Sequence, residues 1–372
     1  MKVYVIGAGV SNRVGYPLGG ELFQEVDTYV RKSGACIDGF DYATDWPELC
    51  RWLGDNDDPL LAEAYKAGNL EYIFTVLDVA RKLNIESQKA VARYVFRPES
   101  TRAAEAEKSF KKVDAATRNH VDYRRILLVG LAHYLQYKHH DDSLTFHDAK
   151  WQDLRKFGRK ICHGDVIITF NYDSTFERIL LEQCKWTPKD GYGFEVSFQR
   201  SGYDKSSVNY VSSPVKVLHL HGAVGWYEKP NATSVPIETQ VSLGPNFLAQ
   251  LGVDSVDTSL SEPAPMSQPV VIHPSFLKDY EICHGTFVGL WRMAADYLRR
   301  AAAVYVIGYS LPDADSAALT LLLTNCDRNK VQILNSDVAA NHRLKRLLTR
   351  DMLGVGAVSL QQWLERVTNS PS

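Results

Sequence analysis

The chain has 372 residues, 45% of them hydrophobic and 23% charged, with a formal net charge of −2. These proportions suit a globular protein with a sizeable core, and the near-neutral balance argues against a mainly electrostatic nucleic-acid binder. Six cysteines, Cys36, Cys50, Cys162, Cys184, Cys283 and Cys326, contain no C-x-x-C pair. Neither a paired-knuckle zinc site nor a secreted disulfide framework is expected, and the cysteines read as reduced thiols of a cytoplasmic protein. The apolar start "VYVIGAGV" is too short to span a membrane and carries no cleavage site. Asn231-Ala-Thr is then a chance match to a glycosylation acceptor.

In chain order, "KVYVIGAG" predicts a strand that ends in a turn at Gly7 and Gly9. The next segment, "ELFQEVDTYVRKS", places Leu22, Phe23, Val26, Tyr29 and Val30 at helical spacing. From about residue 40 to 150 the texture is helical: "WPELCRWLG", "DPLLAEAYKAGNLEYIFTVLDVARKL", "SQKAVARYVF" and "YRRILLVGLAHYLQYK" are amphipathic patterns with no convincing strand between them. Strand–helix alternation then resumes. "DVIITFNYD" is an apolar run that stops at Asn171 and Asp173 just before a helix. "VKVLHLHGAVGWY", residues 215–227, reads as one more strand with His and Gly at its exit. Residues 228–268, rich in Pro, Ser and Thr, read as a long functional loop. "PVVIHPSF" predicts a strand, "TFVGLWRMAADYLRRA" a helix, "AVYVIGYSLPDADSAALTLLLTNC" a strand, turn and helix, and "KVQILNSD" a strand before the helix "ANHRLKRLLTRDM". Apolar strands alternating with helices imply a parallel sheet covered on both faces. The expected fold is therefore α/β: a Rossmann-like doubly wound parallel sheet in a single domain, with core 1–35 and 160–372 and an inserted helical subdomain at about 40–155.

Five strand exits carry polar residues or glycine: Gly7-Ala8-Gly9-Val10-Ser11, Thr169 to Asp173, His221-Gly222, Gly308-Tyr309-Ser310, and Asn335 to Asp337. In a doubly wound sheet such exits converge on one crevice at the carboxyl ends of the strands. The first exit has the logic of a phosphate-binding turn, but Asn12 stands where G-x-G-x-x-G needs its third glycine. It is either a dinucleotide turn or a tight βα turn without a ligand. Asn171 and Asp173 are either an Asx turn with a helix cap or site residues. Ser310 either donates to a phosphate or caps a turn, and Asp315 reads as the N-cap of the helix that follows. Of the two histidines at the "LHLHG" exit, His221 adjoins Gly222 and is the choice for chemistry, with His219 packed in the core.

The ordered set "GAGVS", "TFNYD", "LHG", "GYSLPDAD" and "LNSD" resembles the sirtuin-like NAD-binding family, most closely its bacterial branch from anti-phage defence systems; "NLEYIFTVLD" adds to the likeness. The resemblance covers the first turn and most of 165–340. It implies that Gly7, Ala8, Gly9 and Ser11 line the NAD phosphates, that Gly308 and Ser310 face phosphate again, and that Asn335 meets the adenosine ribose. Thr169 and Asn171 match the ends of the family's Thr-Gln-Asn, so Thr169 joins the NAD-binding set. Asn171 would hold the nicotinamide ribose or the attacking water, Asp173 would lie near the nicotinamide amide, and His221 would be the catalytic histidine. The chain departs from the protein-deacetylating members: it lacks the four-cysteine zinc ribbon, Phe170 replaces the glutamine, and Asn12-Arg13 replaces the acid-aromatic-arginine continuation. Those departures favour an NAD+ hydrolase that releases nicotinamide and ADP-ribose, with NAD as substrate and no metal. Such an enzyme needs gating, so a homo-oligomer and a partner such as a DNA-translocating ATPase or an Argonaute-like protein are expected, with no membrane contact and no direct nucleic-acid binding. The alternatives are a protein deacylase or ADP-ribosyltransferase, and a non-catalytic NAD or ADP-ribose sensor.

Overall fold

The computed structural model describes residues 1–33, 36–37, 40–54, 59–79, 123–138, 148–188, 190–194, 197–198, 212–228, 241–243, 269–276, 278, 284–350 and 360–369. The chain divides into two compact units. One comprises Met1–Leu18, Leu135–Ile272 and Asp279–Ser372; the other comprises Gly19–Tyr134 and His273–Lys278. These limits differ from the boundaries read in the sequence: the helix Gly19–Ser33 groups with the second unit, and residues 135–155 with the first.

The first unit is α/β. Five apolar runs form one parallel sheet: β1 (Lys2–Ile6), β2 (Val166–Thr169), β3 (Lys216–His219), β4 (Ala303–Ile307) and β5 (Val331–Leu334). The spatial order is β5-β4-β1-β2-β3, with every neighbouring pair parallel. This is the strand order of a Rossmann-like doubly wound sheet, and it reverses between β1 and β4. The central strand has no exposed face, since Val3, Tyr4, Val5 and Ile6 are all fully buried. That burial requires helices on both sides, which is why the strands read as apolar runs rather than alternating patterns.

The covering helices are α1 (Gln152–Lys160), α2 (Thr175–Glu182), α3 (His284–Arg300), α4 (Ser316–Asn325), α5 (Val338–Leu348) and α6 (Leu360–Asn369). One face is closed by aromatic packing. Tyr4 of β1 stacks on Tyr305 of β4 at 5.3 Å and meets the edge of Phe157 of α1 at 5.2 Å. Trp363 of α6 lies 5.3 Å from Tyr305 and 5.9 Å from Phe157. Such edge and offset contacts contribute about 0.5–1.5 kcal/mol each beyond the burial of area.

Two expectations need correction. Residues 215–227 are not one strand: the chain leaves the parallel sheet after His219, turns at Leu220 and His221, and starts a new strand at Gly222. Gly222 has φ +80°, and a Cβ there would lie 2.1 Å from the Val270 carbonyl oxygen, so only glycine fits the bend. The strand Gly222–Glu228 belongs to a separate four-stranded sheet with Ser197–Phe198, Val241–Leu243 and Pro269–Val271. "PVVIHPSF" therefore supplies an antiparallel neighbour of that strand, not a strand of the parallel sheet. The expected loop 228–268 begins inside a strand at Glu228, and apart from 228 and 241–243 it lies outside the described residues, as does the helical pattern "SQKAVARYVF".

The second unit contains the helices Gly19–Ser33, Asp45–Gly54 and Pro59–Lys66, with further helical residues at 70–79 and from 123 onward. The long pattern from residue 58 breaks at Gly68, whose φ of +66° ends one helix before the next begins. A short antiparallel pair, Cys36–Ile37 with Phe40–Asp41, interrupts the helical texture that the sequence shows there. Trp46 anchors the core: it is fully buried, its indole N–H donates to Asp27 Oδ1 at 2.7 Å, and Gly130 leaves room for its ring. Among the described residues, no helix is long and apolar enough to cross a membrane.

Candidate active site

The register sets the site. Ile6 pairs with Thr169 and with Ile307, Thr169 pairs with His219, and Ile307 pairs with Leu334. All five strands thus end on one level, and the next residues, Gly7, Phe170, Leu220, Gly308 and Asn335, leave the sheet side by side. The ladder even runs one amide further. Gly7, Phe170, Leu220 and Gly308 donate their N–H groups to the carbonyls of Ile307, Ile6, Thr169 and Leu334. The exits singled out in the sequence therefore share one edge of one sheet.

At the β2 exit the Asn171 side chain donates to Ser11 Oγ at 3.0 Å, which ties it to the first turn. Its own N–H is held by Thr169 Oγ1 at 3.1 Å. Asp173 Oδ1 accepts the Thr175 N–H at 3.1 Å, so it serves one of the amides that open α2. The Asx-turn alternative is thus realised for Asp173, while the Asn171 side chain points to another strand exit.

His219 is fully buried, as the sequence suggests, but it is no passive core residue. Its Nδ1 faces the Asn171 carbonyl at 3.0 Å and its Nε2 faces Glu177 Oε1 at 2.5 Å. A carbonyl only accepts, so Nδ1 carries a proton, and Nε2 pairs with the Glu177 carboxyl. Burial lowers the His219 pKa, but the charge and hydrogen bond of Glu177 outweigh it, and the net shift is upward. Glu177 escaped the sequence reading because it sits inside an ordinary helical pattern.

His221 follows the end of β3 and is also buried. Its backbone carbonyl accepts from Ile272 N–H at 2.8 Å. Its Nε2 lies 3.8 Å from Asp315 Oδ1, the span of an ion pair rather than a hydrogen bond. Phe170 meets the imidazole edge at 5.1 Å and stacks on Tyr309 at 4.7 Å. Phe170, which stands where the resemblance has glutamine, is thus a wall between two exits.

The glycines of the first turn let it approach the β4 exit closely. Gly9 N–H donates to the Gly308 carbonyl at 2.9 Å, and a Cβ on Gly9 would come within 2.9 Å of that same oxygen. A Cβ on Gly7 would lie 2.4 Å from Tyr309 Cα, and Gly308, at φ +58°, has no room for one against Val10 N. The glycines let two βα turns touch at the switch point, and the amides of Gly7 and Gly9 are occupied by protein carbonyls. Ala8, Gly9 and Ser310 are exposed along this edge, and Ser11 is buried beneath it. The Asn335 amide donates to the Tyr309 carbonyl at 3.1 Å and its oxygen accepts from Asp337 N–H at 3.0 Å, so this side chain ties β5 to β4.

Asp315 occupies the N-cap position of α4 but makes no capping bond with its side chain. It accepts from Tyr309 Oη at 2.7 Å instead. Tyr309 could have been suspected from its place between Gly308 and Ser310; the turning of Asp315 toward His221 leaves no local signal. Among the described residues, no group of three or more His, Cys, Asp or Glu side chains is placed to hold a metal ion. No protein-family model matches the chain, and a comparison with curated proteins finds no match.

Proposed function

We propose that the protein is an NAD+ hydrolase that cleaves the nicotinamide–ribose bond, with NAD as substrate and no metal. The observation that carries this reading is the placement of Asn171 and His221 just past β2 and β3, whose ends pair level at Thr169 and His219. An uncharged amide and an imidazole on one edge suit this chemistry. As nicotinamide leaves, cationic character develops at the anomeric carbon, and a neutral amide orients water or a ribose hydroxyl without adding positive charge. A histidine exchanges protons near neutral pH and typically contributes 10²–10⁴-fold. Ser11 fixes the Asn171 amide, and Phe170, stacked on Tyr309, gives the histidine an apolar wall. Ala8, Gly9 and Ser310 offer the exposed rim for phosphates, with Thr169, Asp173, Gly308 and Asn335 shaping the exits around them.

In the same reading the helical second unit is a subdomain inserted into the Rossmann-like core, and the fold is that of the sirtuin-like family in its anti-phage branch. The enzyme works in the cytoplasm as a gated effector that depletes NAD+. Its gate is homo-oligomer assembly or a partner such as a DNA-translocating ATPase or an Argonaute-like protein. The test is NAD+ consumption by the purified chain beside Asn171→Ala and His221→Ala, with products resolved by chromatography. Nicotinamide and ADP-ribose from the wild type, with both variants reduced at least a hundredfold, is the expected result. Nicotinamide release only with an acceptor peptide would replace hydrolysis by transfer or deacylation. NAD+ bound but intact would leave a sensor.

A further inference from the structure

We propose that Asp315 positions His221 and holds its imidazolium form, with Tyr309 locking Asp315 in that role; the inference rests on the reading of His221 as the proton-exchanging group. The first ground is a cap given up. An aspartate at a helix N-cap ordinarily accepts from the second or third amide of the helix. Asp337 does so at the next helix, taking both Ala339 and Ala340 N–H groups. Asp315 holds the corresponding position at α4 and its carboxylate accepts from neither. One oxygen takes the Tyr309 hydroxyl at 2.7 Å, and the other stands 3.8 Å from His221 Nε2. A buried carboxylate that leaves its helix for a tyrosine and a histidine has its partners there.

The second ground is the loop that carries it. Leu311 has φ +53°, a left-handed conformation that a branched residue adopts only when its surroundings impose it. Arg343 of α5 clamps the same loop by donating to the carbonyls of Ser310 and Leu311. Asn335 holds the Tyr309 carbonyl, and Phe170 stacks on the Tyr309 ring with an interplanar angle of 12°. The Tyr309–Asp315 unit is therefore fixed from three sides and presented to His221 at a set distance.

The chemistry is simple to balance. When His221 takes a proton from a ribose hydroxyl or water, an O–H bond breaks, an N–H bond forms on the imidazole, and the electron pair stays on the oxygen. The new positive charge lies beside the Asp315 carboxylate, which remains ionised throughout, as the orienting acid of a catalytic triad does. The titratable groups on the elements around His221 include Asp315 and Tyr309 on the β4 exit, His219 on the β3 exit, Tyr172 and Asp173 on the β2 exit, and Glu177 on α2. Asp315 is thus a positioning residue that acts through His221.

The test reads His221 itself. Histidine-labelled protein is titrated by NMR, the His221 signal is assigned by its loss in His221→Gln, and Asp315→Asn is compared with the wild type. The expected result is a fall of about one pH unit in the His221 midpoint, a tenfold loss of proton affinity. Tyr309→Phe, which removes the donor from Asp315 and leaves more charge for the imidazole, should move the midpoint the other way. Asp315→Glu should restore most of the wild-type value. A midpoint unmoved in both Asp315→Asn and Tyr309→Phe overturns the proposal. This readout needs no turnover, so its failure is separate from a failure of the hydrolase reading. Where NAD+ is consumed, Asp315→Asn should lower kcat at least tenfold with KM nearly unchanged and shift the pH profile; a fall confined to KM would also count against it.

Discussion

Gly7 and Tyr309, the residues that leave the β1 end and follow the β4 end, touch at the switch point with no space for a side chain between them. A methyl group on Gly7 would lie 2.4 Å from Tyr309 Cα and 2.7 Å from its Cβ. The obstacle is backbone, which cannot swing away as a flexible side chain can. Gly7→Ala should therefore destabilise the first unit by about 2–4 kcal/mol, in the range of overpacking with backbone displacement. Urea denaturation followed by tryptophan fluorescence would measure it. A loss under about 0.5 kcal/mol would show that the turns separate easily and that the glycine serves a ligand instead.

The amide of Asn171 depends on Ser11. Ser11 Oγ accepts its Nδ2 at 3.0 Å across two strand exits. Ser11→Ala removes that acceptor from a buried site and should cost about 1–2 kcal/mol of stability. The amide would then rotate, so NAD+ turnover should fall roughly tenfold in kcat, as misplacement of an orienting group does. An unaffected kcat in a folded Ser11→Ala protein would mean that Asn171 needs no anchor.

The parts of the fold that the sequence reveals are those with a local signal. β1, β2 and β4 are apolar runs, β5 is apolar except at the exposed Gln332, and each is followed by helical spacing, so pattern alone finds them. The strand at 215–227 defeats this approach. Its apolar run continues through the turn at Leu220 and His221, and the sharp bend depends on how closely Gly222 approaches Val270, a contact invisible in the local pattern. The site divides in the same way. Asn171, Asp173 and His221 stand out because polar groups at strand exits are unexpected. Glu177 and Asp315 do not, because a glutamate in a first helical turn and an aspartate at an N-cap are what any helix would show. Only the fold turns them toward His219 and His221.

His219 and Glu177 make the stability of the first unit depend on pH. The His219 pKa is raised in the folded state, since Glu177 outweighs the burial that would lower it. The folded protein therefore holds a proton that the unfolded chain releases above about pH 6.5. The stabilisation is complete below that pH and is lost as pH rises through the higher folded value. Chemical denaturation at steps from pH 6 to pH 9 should show this decline. Glu177→Gln should flatten the profile and cost about 3 kcal/mol at neutral pH, the expense of leaving one member of a buried pair. A profile of unchanged slope in that variant would assign the pH dependence to other groups.

The second unit has its own buried ion cluster, centred on Asp78. Arg124 Nε donates to Asp78 Oδ1 at 2.7 Å, and His273 Nε2 and Ser275 Oγ each lie 2.8 Å from Oδ2. Arg124 Nη2 lies 3.3 Å from His273 Nδ1, so His273 has the tautomer that donates to Asp78. His273 and Ser275 come from the short segment His273–Lys278, far along the chain from the helices at 70–79 and from 123 onward. Burial alone would raise the Asp78 pKa, but the His273 and Ser275 hydrogen bonds and the Arg124 charge hold it below the usual value. Its contribution is thus present above about pH 3.9 and is lost as pH falls through the lowered folded value. Asp78→Asn leaves Arg124 buried without its counter-charge and should cost about 3–5 kcal/mol, whereas Ser275→Ala should cost only about 1 kcal/mol. Hydrogen exchange resolves where the loss falls. In Asp78→Asn the amides of 273–276 and of the helices at 70–79 and 123–134 should lose protection first, while those of β1 and β4 keep theirs. Equal loss across β1 and β4 would mean that the two units unfold as one and that the cluster has no local role.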